Sequence, residues 1–122
     1  MQELITIAKH HCLKLQANGI IRFATNTEIV YLKAEDNYTC FKLKDLSQFT
    51  MCKSLQNYEA ELGHLFYRCH KTYLVNSIYI REINKRNHQI LLTTGESIPY
   101  SRSKSKILED KMKIRTVLNY QM

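Results

Sequence analysis

Proline and glycine are scarce in this chain, one and three in 122 residues, and tryptophan is absent. That scarcity leaves the turns to Asn, Asp, Ser and Thr, which bond their own backbone or tolerate unusual angles. No stretch approaches the ~20 apolar residues that a membrane-spanning helix needs. The opening residues carry Glu3, Lys9, His10 and His11 where a signal peptide would hold an unbroken apolar run. A cytoplasmic chain with no membrane partner is therefore expected. The cysteines, Cys12, Cys40, Cys52 and Cys69, are all more than ten residues apart. They make neither a CxxC nor a zinc-binding spacing, so no metal and no cofactor is expected and the thiols are read as reduced. Also missing are GxSxG, a P-loop, HExxH and a dinucleotide fingerprint. Cys69 and His70 are adjacent, and neighbours on a strand point to opposite faces, so they do not make a nucleophile–base pair. These absences argue against an enzyme.

What is present is positive charge and an adequate core. Lys and Arg outnumber Asp and Glu by 18 to 11, a formal charge of +7. An excess of that size favours an anionic partner such as nucleic acid, an acidic surface or an acidic protein. The 44% apolar content suffices for one domain over residues 1–122 with no disulfide or metal staple.

Short apolar runs broken by turn residues dominate the chain. Leu4 to Ile7 and Cys12 to Leu15 read as extended, Asn18-Gly19 as a tight hairpin turn, and Ile20 to Phe23 as the return strand, so residues 1–19 open the domain as a hairpin. Strands follow at Glu28 to Lys33, Tyr38 to Lys44 and Phe49 to Lys53, with breaks at Ala34–Asn37 and Asp45–Gln48. In the second of these, Thr39, Phe41 and Leu43 alternate with Tyr38, Cys40 and Lys42, the pattern of a half-buried strand. Ser54 is a helix N-cap, Leu55, Tyr58 and Leu62 an apolar stripe, and Gly63 the terminator. Phe66 to His70 reads as extended, Val75-Asn76-Ser77 as a turn, and Ile78 to Ile83 as a strand. Gln89 to Thr93 and Ser97 to Tyr100 are further strands. A C-terminal helix over 103–118, capped by Ser101 or Ser103, carries a stripe of Ile107, Leu108 and Met112. Strands outnumber helices and do not alternate with them, which indicates a mainly β, mostly antiparallel domain with one short internal helix and a C-terminal helix.

Four polar turns carry side chains capable of base or phosphate contact: Glu35-Asp36-Asn37-Tyr38, Arg68-Cys69-His70-Lys71-Thr72, Asn84-Lys85-Arg86-Asn87-His88 and Ser101-Arg102-Ser103-Lys104-Ser105-Lys106. Arg and Lys reach guanine edges or phosphates and Asn reads adenine, while hydroxyls and helix starts position phosphates. Tyr73, Leu74 and Val75 read as core. His70 reads as structural rather than base-reading, and Asn76 as the cap of its own turn.

The run Phe66-Tyr67-Arg68-Cys69-His70-Lys71-Thr72-Tyr73-Leu74-Val75-Asn76 resembles the most recognisable motif of the LytTR DNA-binding domains, aromatic–x–Arg–x–His–basic–Ser–aromatic–aliphatic–Val–Asn. Ile29-Val30-Tyr31-Leu32 with Glu35-Asp36-Asn37-Tyr38-Thr39, Ser54-Leu55 before a short helix, and Gly95-Glu96-Ser97-Ile98-Pro99-Tyr100-Ser101-Arg102 resemble the same family, in order, over roughly residues 20–112. Thr72 and Tyr100 stand where Ser and Val are usual. The resemblance implies an elongated set of small antiparallel β-sheets whose inter-strand loops enter the grooves of duplex DNA. It implies a bacterial transcription regulator, standalone or the output half of a response regulator, with two copies on direct repeats, a homodimer on DNA and an upstream receiver domain or sensor kinase as partners. It places Asn37, Lys71 and Arg102 at base edges in the grooves. Arg68, Thr72, Lys85, Arg86, Ser101, Ser103, Lys104 and Lys106 are then expected at phosphates. Two other readings are a basic protein-interaction module meeting an acidic partner and a single-stranded nucleic-acid binder. The latter requires exposed aromatic platforms, for which Tyr38 and Tyr67 are the candidates.

Overall fold

A computed structural model describes residues 12–120. The chain runs β1 (Cys12–Ala17), β2 (Ile20–Thr25), β3 (Ile29–Glu35), β4 (Tyr38–Leu43), β5 (Gln48–Met51), α1 (Leu55–Leu62), β6 (Phe66–His70), β7 (Tyr73–Asn76), β8 (Ile80–Asn84), β9 (Gln89–Leu92), β10 (Ser97–Pro99) and α2 (Ser105–Tyr120). Short 3-10 turns fill Asn26–Glu28, Ser77–Tyr79 and Arg102–Lys104. The strands form a hairpin β1-β2, a five-stranded sheet in the order β5-β4-β3-β7-β6, and a three-stranded sheet β10-β9-β8. All strand pairs among the described residues are antiparallel. The mainly β architecture of small antiparallel sheets is thus present. The expected strand at Leu4 to Ile7 lies outside the described residues.

Local chemistry explains several boundaries. Asn18 and Gly19 both sit at positive φ, 53° and 78°, and close β1 onto β2 with Ala17 opposite Ile20. The Ser54 hydroxyl accepts from the Asn57 amide and caps α1, and Gly63 leaves the helix at φ 83°. Leu55, Tyr58 and Leu62 bury as the helix stripe. An edge-to-face contact of Phe41 with Tyr58, centroids 4.8 Å apart, fixes the helix to the sheet. A two-turn helix does not persist without such packing.

Two cores result, one on each side of the five-stranded sheet. The first gathers Leu15 and Ala24 of the hairpin, Ile29, Leu32, Phe41, Leu43, Phe49, Phe66 and Leu74 of the sheet, and the α1 stripe. The second gathers Val30, Cys69 and Val75 with Ile80, Ile90, Leu92, Ile98, Tyr100 and Leu108, under the three-stranded sheet and α2. Each fully buried aliphatic contributes about 1.5–3 kcal/mol. A bulge between Ile29 and Tyr31 puts the adjacent Val30 and Tyr31 both against the second core, while Ile29 and Leu32 face the first.

Four expectations need correction. β3 continues through Ala34 and Glu35, because Asp36 takes φ 53° and Glu35 then pairs with Tyr38. Tyr73–Asn76 is itself a strand, held between β3 and β6, and residues Ser77–Tyr79 form a 3-10 turn before β8. On α2 the apolar side is Leu108 with Met112; Ile107, about 100° round the helix from Leu108, is 54% exposed. Tyr67 is half-buried with its hydroxyl enclosed, so it offers no stacking platform, whereas Tyr38 is 50% exposed.

Candidate nucleic-acid interface

The sheet register brings the first two polar turns to one end of the five-stranded sheet. Asp36-Asn37 joins β3 to β4, and Lys71-Thr72 joins β6 to β7. β7 lies beside β3 with Tyr73 opposite Lys33, and the Ala34 amide donates to the Thr72 carbonyl at 2.8 Å. The Ser101–Lys106 turn is fastened alongside, since the Ser101 amide donates to the Cys69 carbonyl at 2.8 Å, one residue from His70. The Asn84–His88 turn is joined to it: the Tyr100 amide donates to the His88 carbonyl at 3.0 Å, and the His88 and Tyr100 rings lie 5.5 Å apart. These backbone bonds tether the turns to the sheet and to one another.

On this scaffold Asn37, Lys71 and Arg102 are all exposed. Ser103, Lys106, Lys85 and Arg86 are exposed too, and Thr72, Ser101 and Lys104 are half-buried. Ser101 occupies the cap position of the Arg102–Lys104 turn, but its hydroxyl makes no capping bond. The Lys85 ammonium lies 3.4 Å from the Glu109 carboxylate, and the Asn84 side chain accepts from the amides of Arg86 and Asn87, shaping that turn.

The middle turn is built from its own motif. His70 Nδ1 faces both the Thr72 amide, at 3.2 Å, and the Thr72 hydroxyl, at 3.0 Å, which bears out the structural reading of this histidine. Asn76, fully buried, donates to the carbonyls of Asn26 (2.9 Å) and Ile29 (2.8 Å) and accepts from the Ile78 amide at 3.2 Å. It caps the turn that follows, as expected, and also stitches β7 to the start of β3. Arg68 has partners within the chain. Its guanidinium is engaged with the carbonyls of His70 and Lys71 and with Glu59 of α1, a partner that no sequence pattern pointed to.

A cleft of about 350 Å³ runs between the first turn and the start of α1, lined by Asp36, Asn37, Tyr38, Ser54 and Arg68 among others. The Cys69 thiol is fully buried near the carbonyls of Tyr73 and Pro99, and burial pushes it up to about 12. His70 faces Thr72 instead, so the two do not form a nucleophile–base couple. Among the described residues no group of three His, Cys, Asp or Glu side chains is placed to hold a metal ion, and no helix is long and apolar enough to cross a membrane.

Comparison with known proteins gives matches at the level of family, sequence and fold. The model of the LytTr DNA-binding domain family matches residues 19–113. The sensory transduction protein LytT of Bacillus subtilis is 30% identical over 111 residues, which cover 88% of this chain and 46% of that protein. The chain thus spans about half the length of this curated relative. A solved LytTr DNA-binding domain of a putative methyl-accepting/DNA response regulator from Bacillus cereus superimposes with a TM-score of 0.75 at 24% identity, covering 84% of this chain and 96% of that one. That structure shares the fold.

Proposed function

The chain belongs to the LytTr DNA-binding domain family, and from that premise we propose that it reads duplex DNA through three turns presented at one end of its central sheet. Asn37, Lys71 and Arg102 meet base edges, where an amide can pair with adenine and cations with guanine. Thr72, Ser101, Ser103, Lys104, Lys106, Lys85 and Arg86 meet phosphates and set register and affinity. The domain works by binding rather than catalysis, in the cytoplasm of a bacterium, as a transcription regulator. Two copies occupy direct repeats, as a homodimer formed on the DNA, and a receiver domain or sensor kinase upstream supplies the signal.

The observation that carries this reading is the pair of backbone bonds, Ala34 to Thr72 and Cys69 to Ser101, that ties three chemically suited turns into one rigid display. The single-stranded alternative loses support, since of its two aromatic platforms only Tyr38 is exposed at that end. Gel shifts at fixed salt test the assignment. Lys71→Ala and Arg102→Ala should each cut specific binding by about 1–3 kcal/mol, while Lys104→Ala weakens binding to every duplex alike. An Arg102→Ala protein that holds its specific duplex as tightly as wild type contradicts the site.

A further inference from the structure

Arg68 sits in the middle of the motif, three residues before Lys71, yet its guanidinium faces its own chain. Nε donates to the His70 carbonyl at 3.0 Å, one terminal nitrogen donates to the Lys71 carbonyl, and the other donates to Glu59 Oε1 at 2.9 Å. The two carbonyls belong to the turn that displays Lys71. The carboxylate belongs to α1, which the first core locks onto the sheet. The Arg68 side chain is only 26% exposed. A guanidinium is a planar fork of fixed donors, able to bridge two carbonyls and a carboxylate at once; an ammonium on a flexible stem is not.

We infer that Arg68 is a positioning residue for DNA reading and not a phosphate ligand, and that Glu59 completes the bracket by fixing the guanidinium against the turn. The inference rests on the proposal that Lys71 meets a base edge. The bracket sets the path of the backbone at His70 and Lys71 before DNA arrives, so less order has to be imposed on binding. The His70–Thr72 contacts and the Ala34–Thr72 bond hold the other side of the same turn. Arg68 also lines the cleft that Asn37 lines, so the bracket stands between the first and second reading turns.

Glu59 makes the inference testable by sign. Removing a carboxylate from a DNA-binding domain should strengthen its attraction for any duplex, since less negative charge opposes the phosphates. Breaking a bracket should do the opposite to the specific duplex alone. The experiment compares wild type, Glu59→Gln, Arg68→Lys and Arg68→Ala on a duplex selected by wild type and on a scrambled one, over a salt series. It is paired with backbone amide chemical shifts of the DNA-free proteins. Glu59→Gln and Arg68→Lys should lose roughly five- to tenfold on the selected duplex, the lower end of what one base contact supplies. Binding to the scrambled duplex should be unchanged or tighter for Glu59→Gln, with the salt slope of both variants unaltered. In the free proteins the shift changes should concentrate at residues 70–73 while the two cores stay as in wild type. Loss on both duplexes with a salt slope lower by about one for Arg68→Ala would make Arg68 a phosphate contact and overturn the inference. So would unchanged shifts at 70–73, or Glu59→Gln binding both duplexes more tightly. If wild type itself prefers no duplex, the DNA reading fails, and the free-protein shifts still decide the bracket.

Discussion

Cys69 and His70 differ in what surrounds them although they are neighbours in the chain. Cys69 lies in the second core with no exposure, and its thiol, held up to about 12 by burial, stays protonated at neutral pH. Since the thiolate is the reactive form, native protein treated with a thiol-exchange reagent should modify Cys52, which is exposed, and spare Cys69 until the chain is unfolded. Peptide mapping of the labelled protein reads the order; Cys69 labelling as fast as Cys52 would contradict its placement. The motif showed that Arg68, Lys71 and Thr72 stand together, but which of them faces outward depends on partners far along the chain. Glu59 draws Arg68 inward, whereas Lys71, with no comparable carboxylate in reach among the described residues, remains exposed.

At the scale of elements, the legible features were those decided locally. The Asn18-Gly19 hairpin, the Ser54 cap, the Leu55–Tyr58–Leu62 stripe and the Gly63 exit each follow from the preferences of a few adjacent residues. The strand Tyr73–Asn76 was legible as core but not as a strand. It is covered on both faces, Leu74 in one core and Val75 in the other, so the alternation that betrays a half-buried strand is missing. The end of β3 was misplaced because Asp36, at φ 53°, makes the turn later than the acidic run suggests. The short turn Asn26–Glu28 holds the hairpin to β3 through the Glu28 carboxylate, which accepts from the Thr25 amide at 3.0 Å and the Thr25 hydroxyl at 2.9 Å. The hydrogen bond from the Thr25 amide, with help from the hydroxyl and nearby Lys44 and Arg22, holds this carboxyl below its ordinary value of 4.5 against the opposing effect of burial. A carboxyl whose folded value is depressed stabilises the fold above its unfolded value, and that contribution disappears as pH falls through the folded value. Glu28→Ala should therefore unfold at lower temperature than wild type at neutral pH, with the gap closing as the solution is acidified below 4.5. Thermal unfolding followed by circular dichroism from neutral pH down to about pH 3 checks it; a gap that persists in acid would show that the loss is not the carboxylate's.

Over the whole molecule, the two ends of the five-stranded sheet carry different turns. The turns Asp36-Asn37 and Lys71-Thr72 emerge at one end. The β4–β5 turn lies at the other, where Arg22 of the hairpin bonds Asp45 at 3.0 Å and Ser47 at 3.2 Å. The charge of +7 was visible from composition and pointed to an anionic partner, but not to a face; it is the register between β3 and β7 and the tether from Ser101 to Cys69 that gather Asn37, Lys71 and Arg102 together. Those contacts span more than sixty residues between Asn37 and Arg102, beyond the reach of any local pattern, and before the structure only the resemblance to a family linked them. The central claim is that this assembled end selects a base sequence in duplex DNA. Selection by the purified chain from a pool of random duplexes, with single-stranded DNA of the same sequences as competitor, tests it directly. The account predicts enrichment of a defined duplex motif, bound in preference to single strands and released steeply as salt rises, because each neutralised phosphate gives up counterions. A pool that shows no enriched sequence, or single strands that compete as well as duplex, would contradict it.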